Sequence, residues 1–376
     1  MSSATISTIF GPVNFSLACD LLDWINDTTI PIAPTRDILK SVNGALNPGS
    51  LSWSPVTPRY LVRMEKIMAM ETSRLGKTGY EVGRLGIGLS EVGFNLELTD
   101  VEQARSVINQ ALDNGVNFLD TAACYGISEE LMGMVASERR DEYVLATKAG
   151  HFLPRDEGED WTYDLIISSI DRSLELMKTD HVDLVQLHSC VVEVLERGDV
   201  IRALQDARAA GKTRFIGYSG DNENAKWAVT SGLFDTLQTS FNMVDQSART
   251  HLFADVEERD MGLIIKRPIG NAVWGAPANP EPYSHLSDYT AEYFRRAGVM
   301  QADGPLADEP DDRIRLALGF TFAHPEVDVT IVGTQRPAHM QSNLEMVARP
   351  LGVSDATVAD LHDRWDKHSL DWVQRG

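Results

Sequence analysis

Asp120 and Tyr125 stand five residues apart in "NFLDTAACYG" (Asn117 to Gly126), where an apolar run stops at an acid and a phenol follows beside a glycine. Two further apolar runs end on polar residues in the same way. "VLATK" closes on Lys148, and "VDLVQLH" closes on His188. An acid, an amine, an imidazole and a phenol are a complete set for one kind of chemistry. A phenol has a pKa of about 10 and is a poor acid at neutral pH. A lysine ammonium beside it favours the phenolate and is expected to lower that pKa. An aspartate paired with the lysine keeps the lysine charged and aimed, and a histidine can hydrogen-bond the same substrate oxygen. Such a group donates a proton and polarises a carbonyl that is becoming an alkoxide. It suits carbonyl reduction by an external hydride, with a cofactor doing the hard step. Taken singly, each residue has a plainer reading: Asp120 as a turn cap, Tyr125 as packing, Lys148 as a surface amine, His188 as a buried ring bonded to backbone.

Bringing the four together requires a scaffold that puts strand ends side by side. From Arg74 onward, strand-like and helix-like runs alternate. "RLGKTG" and "EVGRLGIG" read as two short strands around a Lys-Thr-Gly turn, the second running on into an apolar segment. The strand-like runs that follow end in "NFLD", "VLATK", "VDLVQLH", "TRFIGYS", "FDTLQTSFN", "LIIKRPIG" and "VDVTIVGT", each paired with a helix-period segment. Eight strand–helix units in about 300 residues predict an α/β protein built as a closed (β/α)8 TIM barrel with an N-terminal β-hairpin. The alternative is an open doubly wound sheet, which calls for a Gly-rich phosphate loop after the first strand. "GIGLSEVG" misses that spacing, and no helix is expected to open directly on it. Chemistry in such a barrel sits at the C-terminal strand ends, so Asp120, Lys148 and His188 fall on one rim and Tyr125 in the loop above it.

Residues 1–70 have a different character. They carry five basic and five acidic side chains and are rich in Pro, Ser, Thr and Asn. They read as an irregular N-terminal extension with one short helix near Leu17 to Ile25, ahead of a barrel domain over 71–376. Translation starting at Met68 or Met70 is the other reading of this boundary.

The bulk numbers exclude several classes. With 34 Lys and Arg against 55 Asp and Glu in 376 residues, the net charge is −21. That argues against nucleic acid as a partner, since phosphate binding needs a basic stripe. No apolar run approaches a membrane span, and the N-terminus does not read as a secretory signal. The cysteines Cys19, Cys124 and Cys190 form neither a disulfide framework nor a zinc motif, which fits a reducing, cytoplasmic setting. Nothing in the pattern specifies an oligomer.

At these residues the sequence resembles the aldo-keto reductase superfamily, from Arg74 to about Trp365. "GVNFLDTAACYGISEELMG" is similar to the family's first signature, "LATKAGH" to its lysine strand and "VDLVQLH" to its histidine strand. "GKTRFIGYSG", "LQTSFNMVD" and "TIVGTQRPAHMQSNLE" are similar to the fifth strand, the sixth strand and the C-terminal cofactor motif. The resemblance implies that Asp120, Tyr125, Lys148 and His188 are the catalytic tetrad, with Tyr125 as general acid. It implies NADPH, or less often NADH, as cofactor and a small-molecule carbonyl as substrate. Ser219 and Gln238 match residues that hold the nicotinamide carboxamide. Gly220 replaces the family's usual Asn, and Lys266 stands where many members stack an aromatic ring. Gly270 lies along the pyrophosphate, and Gly333, Thr334, Gln335, Arg336, His339 and Asn343 lie at the adenosine end. There the residues have their own logic: a Gly-rich strand end before a helix N-terminus is an anion site, and Arg336 can pair with a 2′-phosphate bidentately.

Three rival readings accompany this one. Lys148 could form a Schiff base; the barrel could be a regulatory protein that kept its cofactor site; or it could be a metal-dependent hydrolase, for which only His188 qualifies as a ligand. The long segment Asn271 to Asp312 is expected to cover part of the site, with Trp274 as a wall and a helix around Ser287 to Ala297. Phe152 and Phe241 are further candidates for the pocket lining.

Overall fold

A hairpin is the first element among the described residues. The computed structural model describes residues 70–151, 158–276 and 288–374. Residues 1–69, with the expected extension, its helix and Cys19, lie outside the described residues, as does Phe152. Strands β1 (Thr72–Arg74) and β2 (Glu81–Gly83) pair antiparallel. Gly79 reverses the turn in the left-handed region at φ 74°, a conformation open to glycine. The second arm does not run on unbroken into the next strand. Arg84 interrupts it, donating to the carbonyls of Phe322, His324 and Val327 at 2.8, 3.0 and 3.3 Å.

Eight parallel strands then close a barrel: β3 (Leu85–Gly88), β4 (Phe118–Asp120), β5 (Val144–Ala149), β6 (Val182–His188), β7 (Thr213–Ser219), β8 (Thr236–Ser240), β9 (Gly262–Lys266) and β10 (Val329–Gly333), with β10 pairing to β3. The crossover helices bury one apolar stripe each against the strands. In chain order the first ones are α1 (Ser90–Asn95), α2 (Val101–Asp113), α3 (Ser128–Val135), α4 (Tyr163–Met177), α5 (Val192–Arg197), α6 (Asp199–Ala209) and α7 (Asn222–Ser231). One expected helix divides at Leu252 into α8 (Ser247–His251) and α9 (Phe253–Glu258). Then follow α10 (Asp288–Gln301), α11 (Arg313–Phe322), α12 (Pro337–Val347) and α13 (Asp355–His368). Contrary to expectation, a helix does open within "GIGLSEVG", at Ser90, yet the sheet still closes.

Strand period decides what fills the barrel. Phe118, Val144, Ala146, Leu184, Ile264, Val329 and Ile331 form an interior cluster with Leu75 and Val82 of the hairpin, which plugs the N-terminal end. Their strand neighbours Leu119, Leu145, Val185, Leu187, Leu263 and Ile265 face outward into the larger helix-facing core. Counting two residues on from the interior set reaches Asp120, Lys148, Gln186 and Lys266; two beyond Gln186 is His188. The interior is therefore apolar at the hairpin end and polar at the carboxyl end. Phe241 is core rather than pocket wall, while Trp274 lines a small cavity with Asn242 and Gly270. Trp274 is buried, with its indole N–H on Glu309 at 2.8 Å, and Phe241 packs on Phe253 and Phe320.

Candidate active site

Register places the polar layer side by side. Asp120 lies opposite Ala146, Lys148 opposite Gln186, His188 opposite Ser219, and Ser219 opposite Gln238. Lys148 Nζ donates to Asp120 Oδ2 at 2.5 Å and to the Thr121 carbonyl at 2.9 Å. Asp120 Oδ1 accepts from Gln238 Nε2 at 2.8 Å and Gln186 Nε2 at 3.4 Å. Both charged groups are buried, at about 1% exposure, so each depends on the other.

Tyr125 reaches this cluster because its loop docks onto α1. Ile127 N–H donates to the Gly93 carbonyl at 3.2 Å. Gly126 sits at φ 54°, and a Cβ there would lie 2.3 Å from Gly93 O. A Cβ on Gly93 would lie 1.9 Å from Tyr125 O. The glycine after the tyrosine is thus required twice, for its conformation and for the close approach. The phenol oxygen comes to rest 3.5 Å from His188 Nε2, and Lys148 Nζ lies 4.8 Å from the centre of the Tyr125 ring. Gly93→Ala must push the loop away. It should cost about 1–3 kcal/mol of stability, as overpacking does, and lower turnover about 100-fold through misplacement of the phenol. Urea denaturation and steady-state assays read the two effects. Wild-type turnover in this variant would show that loop placement is unimportant.

The electrostatics correct one expectation. Burial is the largest influence on Tyr125 and pushes its hydroxyl above the ordinary range; the Lys148 charge pulls the other way without winning, and Asp120 and Cys124 add to the rise. The phenol is held protonated. For Lys148, burial works against the charge, but Asp120 and then Tyr125 outweigh it, and the ammonium is held above its usual range.

The expected cofactor positions form two groups. In the first, Ser219 Oγ donates to Gln238 Oε1 at 2.9 Å, so Ser219, Gln238 and Asp120 form one hydrogen-bonded line. Gly220 has a physical cause: a Cβ there would lie 2.6 Å from the Tyr218 hydroxyl, which donates to the Cys190 carbonyl. Lys266 is neither stacked nor solvated. It pairs with Asp221 Oδ2 at 2.9 Å. Burial lowers the Lys266 pKa, while the same pairing overcomes burial at Asp221 and holds that carboxylate low. Asp221 also accepts from Thr239 Oγ1 and Ser240 N–H, both at 2.8 Å. Gly270 is buried at φ 50° beside Asn242.

The second group surrounds the end of β10. A Cβ on Gly333 would lie 3.4 Å from Gly88 O. Thr334 Oγ1 accepts from Arg336 N–H at 3.0 Å, and Gln335 O accepts from Gln103 at 2.8 Å. Arg336 and His339 are exposed, while Asn343 lies on the buried face of α12. A glycine strand end, an eleven-residue helix starting at Pro337 and an exposed guanidinium suit an anionic phosphate group. The Ser219–Gln238 pair suits a carboxamide.

Two residues beyond the expected set also stand at the site. His151 packs 5.6 Å from the His188 ring, and its Nδ1 lies 2.8 Å from Asp160. Gln374 comes from the far end of the chain. It is buried, donates to the Ser240 carbonyl at 2.8 Å, and exchanges bonds with Asn222 of α7 at 2.9 and 3.0 Å. Gln374 is brought in by tertiary packing and no spacing rule announces it, whereas His151 follows Lys148 by three residues, just past the end of β5.

A closed parallel barrel with its polar residues gathered at the carboxyl rim is the architecture of a (β/α)8 enzyme. Residues 84–363 match the model of the aldo/keto reductase family, and the chain belongs to that family. It is similar to L-galactose dehydrogenase of Arabidopsis thaliana, at 26% identity over 78% of this chain and 93% of the relative. It is also similar to the aldo-keto reductase YhdN of Bacillus subtilis, at 33% identity over 76% and 91%. Among solved structures, the holo form of the aldo-keto reductase AKR11C1 from Bacillus halodurans superposes with a TM-score of 0.66, at 23% identity, covering 78% of this chain and 96% of that one. The protein is an oxidoreductase of the nicotinamide-dependent kind.

Proposed function

We propose that this chain reduces an aldehyde or ketone to an alcohol with NADPH, and runs in reverse as an alcohol dehydrogenase. The observation that carries the reading is the contact line from Asp120 through Lys148 to Tyr125 and His188. The nicotinamide, when bound, supplies the hydride. Tyr125 gives its proton to the carbonyl oxygen as negative charge develops there, and Lys148 stabilises the phenolate left behind. Asp120 keeps Lys148 charged and aimed, and His188 orients the substrate oxygen. Ser219 and Gln238 hold the carboxamide, with Lys266 and Gly270 alongside. Gly333, Thr334, Gln335, Arg336, His339 and Asn343 hold the adenosine end. The catalytic unit is 71–376, with 1–70 an appended segment, and the thiols of Cys124 and Cys190 suit a reducing cytoplasm.

Nicotinamide fluorescence titrations with NADPH and NADH, followed by a panel of aldehydes, ketones and aldoses, test the reading. The aldoses enter because of the galactose dehydrogenase relative. Arg336→Ala should weaken NADPH about tenfold, the worth of one charge-assisted contact, and leave NADH within twofold. Equal loss for both cofactors would remove Arg336 from 2′-phosphate recognition. Failure to oxidise either cofactor across the panel would overturn the catalytic reading.

A further inference from the structure

Cys124 is not among the positions carried over from the family, yet it touches the site directly. It precedes Tyr125 in the loop after β4, and its Sγ lies 3.2 Å from His188 Nδ1. The other nitrogen of that ring, Nε2, lies 3.5 Å from the Tyr125 hydroxyl. Two consecutive residues of one turn therefore address the two nitrogens of one imidazole. The Tyr125 and His188 rings meet edge to face, 5.5 Å apart at 79°, so the ring plane is also set.

A neutral imidazole carries one N–H, and the partner at one nitrogen decides where it sits. A thiol is a weak donor and a poor acceptor, whereas an unprotonated imidazole nitrogen is a good acceptor. The favoured exchange is S–H donating to Nδ1, which leaves the hydrogen on Nε2. Passage of the thiol proton onto the ring gives the same result at Nε2. A ring donating from Nδ1 to sulfur would instead leave Nε2 bare. In that case the Tyr125 hydroxyl would donate to the bare nitrogen, and its proton would be directed away from substrate.

We propose that Cys124 is a positioning residue whose thiol holds His188 in the Nε2–H form. The imidazole then donates toward the oxygen being reduced, and the Tyr125 proton stays available for that oxygen. The catalytic half of this inference rests on the roles proposed above for Tyr125 and His188; the tautomer itself does not.

The test begins with 15N-labelled histidine NMR of the full chain without cofactor, using His188→Asn to assign the ring. Nδ1 should resonate as an unprotonated acceptor, with the proton on Nε2. Cys124→Ala should give a mixture of tautomers, lower kcat about tenfold and leave the cofactor Kd within twofold, as loss of one orienting hydrogen bond predicts. Cys124→Ser, whose hydroxyl also donates, should restore the tautomer and most of the turnover. An Nδ1–H ring in the wild-type protein, or an unchanged tautomer in Cys124→Ala, overturns the proposal. If the tautomers behave as stated while the wild-type chain reduces no carbonyl, the positioning contact stands and the functional reading falls.

Discussion

Tyr125→Phe should lower turnover about a thousandfold while leaving the Kd for the cofactor within twofold. The change removes one oxygen and keeps the ring, so packing against His188 and Phe94 survives. What is lost is the proposed proton donor, and general acid catalysis is worth about 10²–10⁴-fold. The direction of the hydroxyl's shift gives a second signature. Reduction needs the phenol protonated, and burial holds its pKa above the ordinary value of about 10 in the cofactor-free protein. Carbonyl reduction should therefore show no loss assignable to Tyr125 between neutral pH and pH of about 9; the loss should come only as pH rises through the raised pKa. Stopped-flow hydride transfer read against pH, with Tyr125→Phe as control, measures this. A Phe variant with wild-type kcat would end the assignment of Tyr125 as acid.

Lys148→Met should damage both function and fold. The substitution keeps most of the side-chain volume and deletes the charge that bonds Asp120 and the Thr121 carbonyl. Asp120 would then be a buried carboxylate with only the amides of Gln238 and Gln186 as the named polar contacts left to it. Breaking a buried ion pair on one side costs about 3–5 kcal/mol, because the surviving charge is uncompensated. Turnover should fall about a thousandfold, since the phenolate formed in the reaction loses its counter-charge. Combining Lys148→Met with Asp120→Asn should recover part of the stability and none of the turnover, a coupling that a double-mutant cycle in urea isolates. A Lys148→Met protein that unfolds at the wild-type urea midpoint would show that the pair contributes nothing to the fold.

Much of the site was legible before any coordinates. Strand alternation is a local property with period two, and "VLATK", "NFLD" and "VDLVQLH" each carry it clearly, so Asp120, Lys148 and His188 could be placed on one rim. The turn glycines were equally local. Contacts between distant segments were not legible. Gly93 and Gly126 meet across 33 residues of sequence, and nothing in either neighbourhood announces the other. Gly220 reads as a lost contact until Tyr218 is seen to fill the space a side chain would need. Lys266 reads as a replacement for a stacking ring until Asp221, 45 residues earlier, is found 2.9 Å away. One aromatic residue misled for a related reason. Phe241 lies near a strand end, where pocket walls are found, but the rings of Phe253 and Phe320 packed on it place it in the core.

The order of types along the chain determined the eight strand–helix units, the N-terminal hairpin and the inward set of polar residues, because backbone period and turn chemistry act over a few positions. Only the folded molecule decided the sense of the shift at Tyr125, the pairing of Asp221 with Lys266 and the contacts of Cys124 and Tyr125 with the His188 ring. Those outcomes depend on desolvation and on separations of a few ångströms, which are set by closure of the barrel and the packing of segments far apart in sequence.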